Sequence, residues 1–249
     1  MTTTTVGAIP PIGHDEAMVL AATEYGRFGE LLAGLGPDDW TRPTVCEPWD
    51  VRALATHVLG SAEAAASMRV NIAQKKAAGP VMKEAGFDHI VDAVNEVQVR
   101  ERADLTPAQV LERWADVVPR AIRGRQRFPR ILRPLPIRFP EPTGRRTMAY
   151  LWDIAFTRQT WMHRIDIARA IAHQPVLTAG HDGRLIADTV ADWTSTHGQP
   201  FTLRLTGPAG GTYVNGDGGE EVEIDAVEWM WTITGRASST GLLERSLAL

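Results

Sequence analysis

Apolar residues recur at helical spacing through roughly the first two thirds of the chain and alternate in the last third. The most telling stretch is Met148–Ile171. At about 100° per residue, Trp152, Phe156, Gln159, His163, Ile167 and Ala170 fall on one face, while Ile154, Trp161 and Ile165 fall on the opposite one. A helix apolar on two opposite sides is predicted to be central and sandwiched between layers. Gln159 and His163, one turn apart on the core face, must then find partners. Two readings stay open at this point: a core histidine satisfied by a hydroxyl or carbonyl, or part of a metal or catalytic site.

Residues 1–13 read as a flexible arm closed by Pro10, Pro11 and Gly13, followed by a helix over Asp15–Leu35 that Gly36-Pro37 stops. Pro43 and Pro48 keep the next segment extended. Asp50 is the expected N-cap of a second helix beginning at Val51, whose core stripe is Val51, Leu54, Val58 and Ala62. His57 lies beside that stripe with Ala53, Gly60, Ser61 and Ala64, a face of small residues that another helix can approach. This helix is expected to run to Gly79-Pro80. Further helical patterns begin near Asp88 and at the Thr106-Pro107 pair.

The periodicity changes after His173-Gln174-Pro175, which predicts a helical domain over 1–174 and a small α+β domain over 175–249. The small domain should hold a helix (Asp182–Thr196), strands at Phe201–Leu205, Thr212–Val214 and Val222–Ile224 in an antiparallel sheet, and a helix at Val227–Thr234. The tail is a candidate edge strand.

Composition removes several classes. The chain has 249 residues, 44% of them hydrophobic, enough for a sizeable core. A net charge of -4 and a pI near 6.0 give no overall basic balance for nucleic acid. The single cysteine, Cys46, excludes an intramolecular disulfide framework, suits a reducing cytosol, and reads as a small buried residue. No Lys or Arg precedes Arg27 and no segment has the roughly 18 uninterrupted apolar residues of a membrane span, so a cytoplasmic protein without a membrane role is expected. Locally the picture differs, because residues 120–146 hold nine arginines against one acid, Glu141. That run suits an anionic substrate, or a solvated or internally paired loop, better than single-stranded nucleic acid, since only Phe128 and Phe139 interleave it. The turn Asn215–Gly219 lies between two strands, not between a strand and a helix, which excludes a dinucleotide or phosphate loop.

Three motifs together resemble a known family: W-D-V-R-x-L-x-x-H from Trp49 to His57, T-R-x-T-W-M-H-R-x-D from Thr157 to Asp166, and L-T-G-P-A-G-G-T-Y, G-D-G-G and G-R between Leu205 and Arg236. The chain resembles the actinobacterial mycothiol-dependent maleylpyruvate isomerase family, a branch of the DinB-type four-helix bundles with a C-terminal domain similar to sterol carrier proteins. The resemblance implies an α+β fold with a DinB-like four-helix bundle over 1–174 and a sterol-carrier-like domain over 175–249. It also implies a divalent metal, usually zinc, held by a histidine early in the second helix and an acid-x-x-x-His pair in the last helix of the bundle. His57 and His163 match the two histidines, and Gln159 stands at the acidic position. Asp166, one turn onward, is a supporting or substituting group, and Arg236 is a candidate for binding a substrate carboxylate. The implied activity is a thiol transferase or isomerase acting on a small electrophile with mycothiol as cosubstrate, in a monomer or homodimer. The alternative is a metal-free ligand-binding or regulatory member of the same fold, the neutral Gln159 having replaced the acidic ligand.

Overall fold

The computed structural model describes residues 3–247. Its helices are α1 (His14–Ala33), α2 (Val51–Ala66), α3 (Met68–Ala85), α4 (Ile90–Arg100), α5 (Pro107–Gln126), α6 (Met148–Tyr150), α7 (Phe156–Ala170), α8 (Arg184–His197) and α9 (Ala226–Ile233). The strands are β1 (Thr3–Thr5), β2 (Pro136–Arg138), β3 (Arg145–Thr147), β4 (Phe201–Thr206), β5 (Gly211–Asn215) and β6 (Glu220–Asp225). This is an α+β fold of two compact units. Gly13–Pro140 with Arg145–Pro175 form a helical unit; the described residues up to Ile12, Glu141–Gly144 and those from Val176 onward form a smaller one.

In the helical unit α2 packs on α5, α5 on α1, α1 on α7 and α7 on α2, while α3 and α4 pack on each other and on α2. Tyr25, Phe28, Leu54, Val58, Val110, Trp114, Trp152, Phe156 and Ile167 fill the centre. Helix α2 starts where its cap predicts, the Asp50 carboxylate accepting from Ala53 N at 2.7 Å. It does not continue to Gly79-Pro80. It stops at Ser67, whose backbone is extended (φ -149°, ψ 117°), and Pro80 lies inside α3. Likewise α5 opens on the Thr106–Gln109 capping box and runs through Pro119 to Gln126, so the arginine-rich stretch is more helical than its prolines suggest. A proline removes one hydrogen bond, which the burial of Val117 and Ala121 on either side of Pro119 outweighs. At Gly124 a Cβ would stand 2.3 Å from Ala65 O, so only glycine lets α5 cross α2 this closely.

The chain reaches α7 through a five-residue π turn, Leu151–Ala155. Arg125, fully buried, serves it: Nε donates to Trp152 O at 2.6 Å, and Nη2 to Asp153 O at 3.1 Å and Thr157 Oγ1 at 2.7 Å. Arg133 of the same arginine-rich run is internally paired too: it binds the Asp153 carboxylate, which also meets His14 Nδ1 at 3.0 Å. A buried ion pair, Arg164 Nε to Glu24 Oε1 at 2.6 Å, joins α7 to α1.

In the small unit the strand order is β1-β5-β4-β6. Phe201, Leu203 and Leu205 are buried and alternate with Thr202, Arg204 and Thr206, as the sequence pattern requires. Strands β4 and β5 pair antiparallel, with Leu203 opposite Tyr213. The sheet is otherwise mixed. β6 does not fold back on β5 but lies parallel to β4, with Leu203 opposite Val222. The chain gets there past the start of β4 at Gly219 (φ +87°), where a Cβ would sit 2.0 Å from Pro200 O. The expected flexible N-terminal arm is an edge strand, β1, parallel to β5 with Thr4 opposite Tyr213. The described part of the tail forms a short 3-10 turn, Gly241–Glu244, instead of a strand. Trp193 of α8, Phe201 of β4 and Trp229 of α9 are fully buried together, with the two indole rings 5.5 Å apart.

Candidate functional site

The loop before α2, the first half of α2 and the middle of α7 come together in the helical unit. His57 of α2 and His163 of α7 face each other edge to face, with ring centroids 5.0 Å apart. His57 is fully buried and His163 nearly so. Gln159, one turn before His163, donates from Nε2 to His57 Nε2 at 2.9 Å, and its Oε1 accepts from Ser61 Oγ at 3.0 Å. Of the small residues on this face of α2, Ser61 meets Gln159 of α7, whereas at Gly60 a Cβ would stand 2.7 Å from Gln98. Trp49 covers His57 from the loop side, centroid to centroid 5.2 Å.

Burial, and next the electrostatic influence of His163, hold the His57 imidazole well below its usual pKa, with Arg102 adding to the effect. The ring is therefore neutral at physiological pH. Because its Nε2 accepts from Gln159, its proton resides on Nδ1. Nδ1 makes no hydrogen bond of normal geometry, although the Gln98 amide beside it favours the protonated ring. Gln98 in turn donates to Gln74 Oε1 at 2.9 Å, and Gln74 donates to Gly60 O at 2.9 Å, so a relay of buried amides backs the histidine.

Asp166 lies one turn beyond His163 and is buried; its Oδ2 meets His163 Nδ1 at 2.9 Å. The same oxygen accepts from Cys46 Sγ at 3.4 Å. Cys46 is half-buried: it packs against the helical core, as a small apolar residue would, and its thiol also reaches the polar cluster. One ligand atom each from Cys46, His163 and Asp166 lie within 4.8 Å of one another. Arg236 belongs to the small unit, where it follows α9; its backbone N donates to Trp231 O at 3.0 Å and its Nη1 to Thr234 O at 3.5 Å.

Two imidazoles sharing one zinc ion, with Zn–N distances of about 2.0–2.1 Å, would place their ring centroids roughly 5 Å apart. The observed 5.0 Å separation fits such an ion. The carboxylate behind His163 also fits, since metal-bound histidines usually give their other ring nitrogen to such a partner. The amide is the looser member: a half-turn about its last bond exchanges Oε1 and Nε2, and the Ser61 hydroxyl can accept as readily as donate. The donor set these residues offer a divalent ion is two imidazoles and, after such a turn, an amide oxygen.

Residue reading picked out His57, Gln159 and His163 because each polar group interrupts or borders a helical apolar face, and Asp166 through the motif resemblance alone. It missed Cys46, Gln74 and Gln98 as members of this cluster. Cys46 stands in a loop without periodicity, 120 residues from its partner Asp166; its place just before the Trp49–His57 motif is the one signal available.

Comparison with known proteins identifies the family and the fold. Residues 21–168 match the family model described as the mycothiol maleylpyruvate isomerase N-terminal domain. Two solved structures align over 94% of this chain and 92% of their own, with a TM-score of 0.58 and 17% sequence identity. They are a mycothiol-dependent maleylpyruvate isomerase and a histidine-to-alanine mutant described under the same name. At that identity the likeness establishes the fold. No curated protein matches significantly. Among the described residues no helix is long and apolar enough to cross a membrane.

Proposed function

The chain belongs to the mycothiol maleylpyruvate isomerase N-terminal domain family, and from that premise we propose that it is a metal-dependent cytoplasmic enzyme. It uses a small thiol of the mycothiol type to isomerise, or to transfer that thiol to, a small electrophilic substrate. The observation that carries this reading is the buried His57–His163 pair, 5.0 Å apart, with Gln159 against His57.

In this reading His57, Gln159 and His163 hold the ion. Its chemistry, when bound, is to keep a thiol deprotonated at neutral pH. The chain's own residues prepare that state. Burial keeps the His57 ring neutral, so Nε2 retains its lone pair. The Asp166 carboxylate at His163 Nδ1 fixes the ring orientation and raises the basicity of the other nitrogen. Ser61 orients the Gln159 amide. A thiolate held here can add to a cis double bond; rotation about the resulting single bond and elimination give the trans isomer and return the thiol. Where nothing is eliminated, the product is a thioether.

Elemental analysis of the purified protein should find about one divalent ion per chain, falling to background in His163→Ala. Stripping the metal should abolish turnover of maleylpyruvate with mycothiol, and zinc should restore it. Protein that carries no metal and stays inactive with zinc and mycothiol would falsify the assignment. A second reading, a metal-free binding or regulatory member, is favoured by one observation: Ser61, Gln159 and His57 Nε2 are hydrogen-bonded to one another in a chain. Metal-free parent protein that binds a small ligand while taking up no zinc would select that reading.

A further inference from the structure

A glutamine at the acidic position leaves an ion between His57 and His163 with no anionic ligand, so its full charge would sit in a buried site. The structure offers a carboxylate and an ionisable thiol beside His163 Nδ1. Asp166 is 1% exposed and touches His163 Nδ1 at 2.9 Å, and the Cys46 thiol reaches the same carboxylate oxygen at 3.4 Å. Donors sharing a tetrahedral zinc, at about 2.0–2.3 Å from the metal, stand roughly 3.3–3.7 Å from each other. The three candidate ligand atoms lie within 4.8 Å of one another, so small rotations suffice to close them on an ion.

The cysteine is held for this. Its loop is closed by Thr44 N and Thr44 Oγ1, both donating to Trp49 O at 3.2 and 2.8 Å. Cys46 N donates to Thr44 Oγ1 at 3.1 Å, and Trp49 N to Cys46 O at 2.9 Å. A pairing of Pro43 with Asp50 seals the base of the loop. Cys46 is therefore presented to α7 by fixed backbone, from a segment rooted in the same α2 start that aims His57.

We propose that Cys46, His163 and Asp166 form the metal site of this chain, a thiolate and a carboxylate supplying the negative charge that Gln159 lacks. The inference rests on the reading that the protein binds a divalent metal, and it changes which side chains do so. On binding, the S–H bond breaks and the proton between His163 Nδ1 and Asp166 is also given up, both leaving to solvent; sulfur–metal and nitrogen–metal bonds form, and the hydrogen bonds to Asp166 give way to an oxygen–metal bond. With two anionic ligands a divalent ion is neutralised. The thiolate also sets a preference for thiophilic ions, zinc, cobalt and cadmium, over magnesium or manganese.

Cys46 is the only cysteine, so any thiolate signal reports on it alone. Metal-stripped full-length protein titrated with cobalt(II) should develop a thiolate-to-cobalt charge-transfer band in the near ultraviolet at about one equivalent. Cobalt and zinc should protect the single thiol from a chromogenic disulfide reagent, and magnesium should not. Cys46→Ser should lose the band and bind cobalt at least about tenfold more weakly, whereas Gln159→Ala should keep the band. The parent spectrum alone is decisive if Cys46→Ser fails to fold. Cobalt bound stoichiometrically without the band, and lost in His57→Ala, overturns this proposal but leaves the metal-dependent reading standing. No cobalt binding by the parent overturns both.

Discussion

Gln159 faces two demands that pull in opposite directions. An amide against His57 Nε2 satisfies a buried acceptor without adding charge, and Ser61 completes its hydrogen bonding. As a metal ligand the same amide contributes one neutral oxygen where a carboxylate would contribute charge. Gln159→Glu keeps the size and reach of the side chain and changes mainly that charge. If the ion sits between His57 and His163, the variant should bind zinc at least about tenfold more tightly, roughly 1.4 kcal/mol, as read by competition with a chromophoric chelator. Unchanged affinity would move the ion away from Gln159, to the side where Cys46 and Asp166 stand. Only part of this cluster is legible in the sequence. His57 and His163 stand out because a helix makes polar positions on an apolar face conspicuous. Cys46 and Gln98 join the cluster through tertiary placement, and no local pattern marks them.

The helices that carry these side chains depend on close crossings that composition conceals. Gly124 looks like a weak point in α5, since alanine is favoured over glycine in a helix by about 1 kcal/mol. Here, however, a Cβ would meet Ala65 O at 2.3 Å and Ala66 O at 3.0 Å, both backbone atoms that cannot swing away. Separating α5 from α2 should cost about 1–3 kcal/mol, so the clash wins. Gly124→Ala is expected to lower stability by roughly 1 kcal/mol net, measured by urea denaturation; a stabilised variant would show that α2 and α5 can move apart freely. Element boundaries divide along the same physical line. The start of α2 is readable because the Asp50 cap is a local event. Its end at Ser67 is not, because tertiary packing outweighs both the absence of a stop signal there and the presence of Pro80 further on.

At the scale of the molecule, composition and alternation are enough to read an α+β chain, but pairings between distant residues are not. Thr3–Thr5 lacks the apolar alternation of a strand, yet it pairs with residues more than 200 positions away to edge the sheet. Global stability carries a similar hidden dependence at the end of α8. His197 packs its ring against Trp193 at 4.5 Å, and Nδ1 accepts from Gln199 N at 3.0 Å. Burial, and then the charge of Arg245, lower its pKa from the usual 6.5. As pH falls through that value the unfolded chain takes up a proton that the folded chain still refuses, so the unfolded state gains. Stability from this group is complete above about pH 7 and declines on acidification. His197→Asn retains an acceptor for Gln199 N but cannot be charged. Comparing urea midpoints near pH 7.5 and near pH 5.5, its drop on acidification should be smaller than the parent's. An equal drop in both proteins would mean that the acid sensitivity arises elsewhere in the fold.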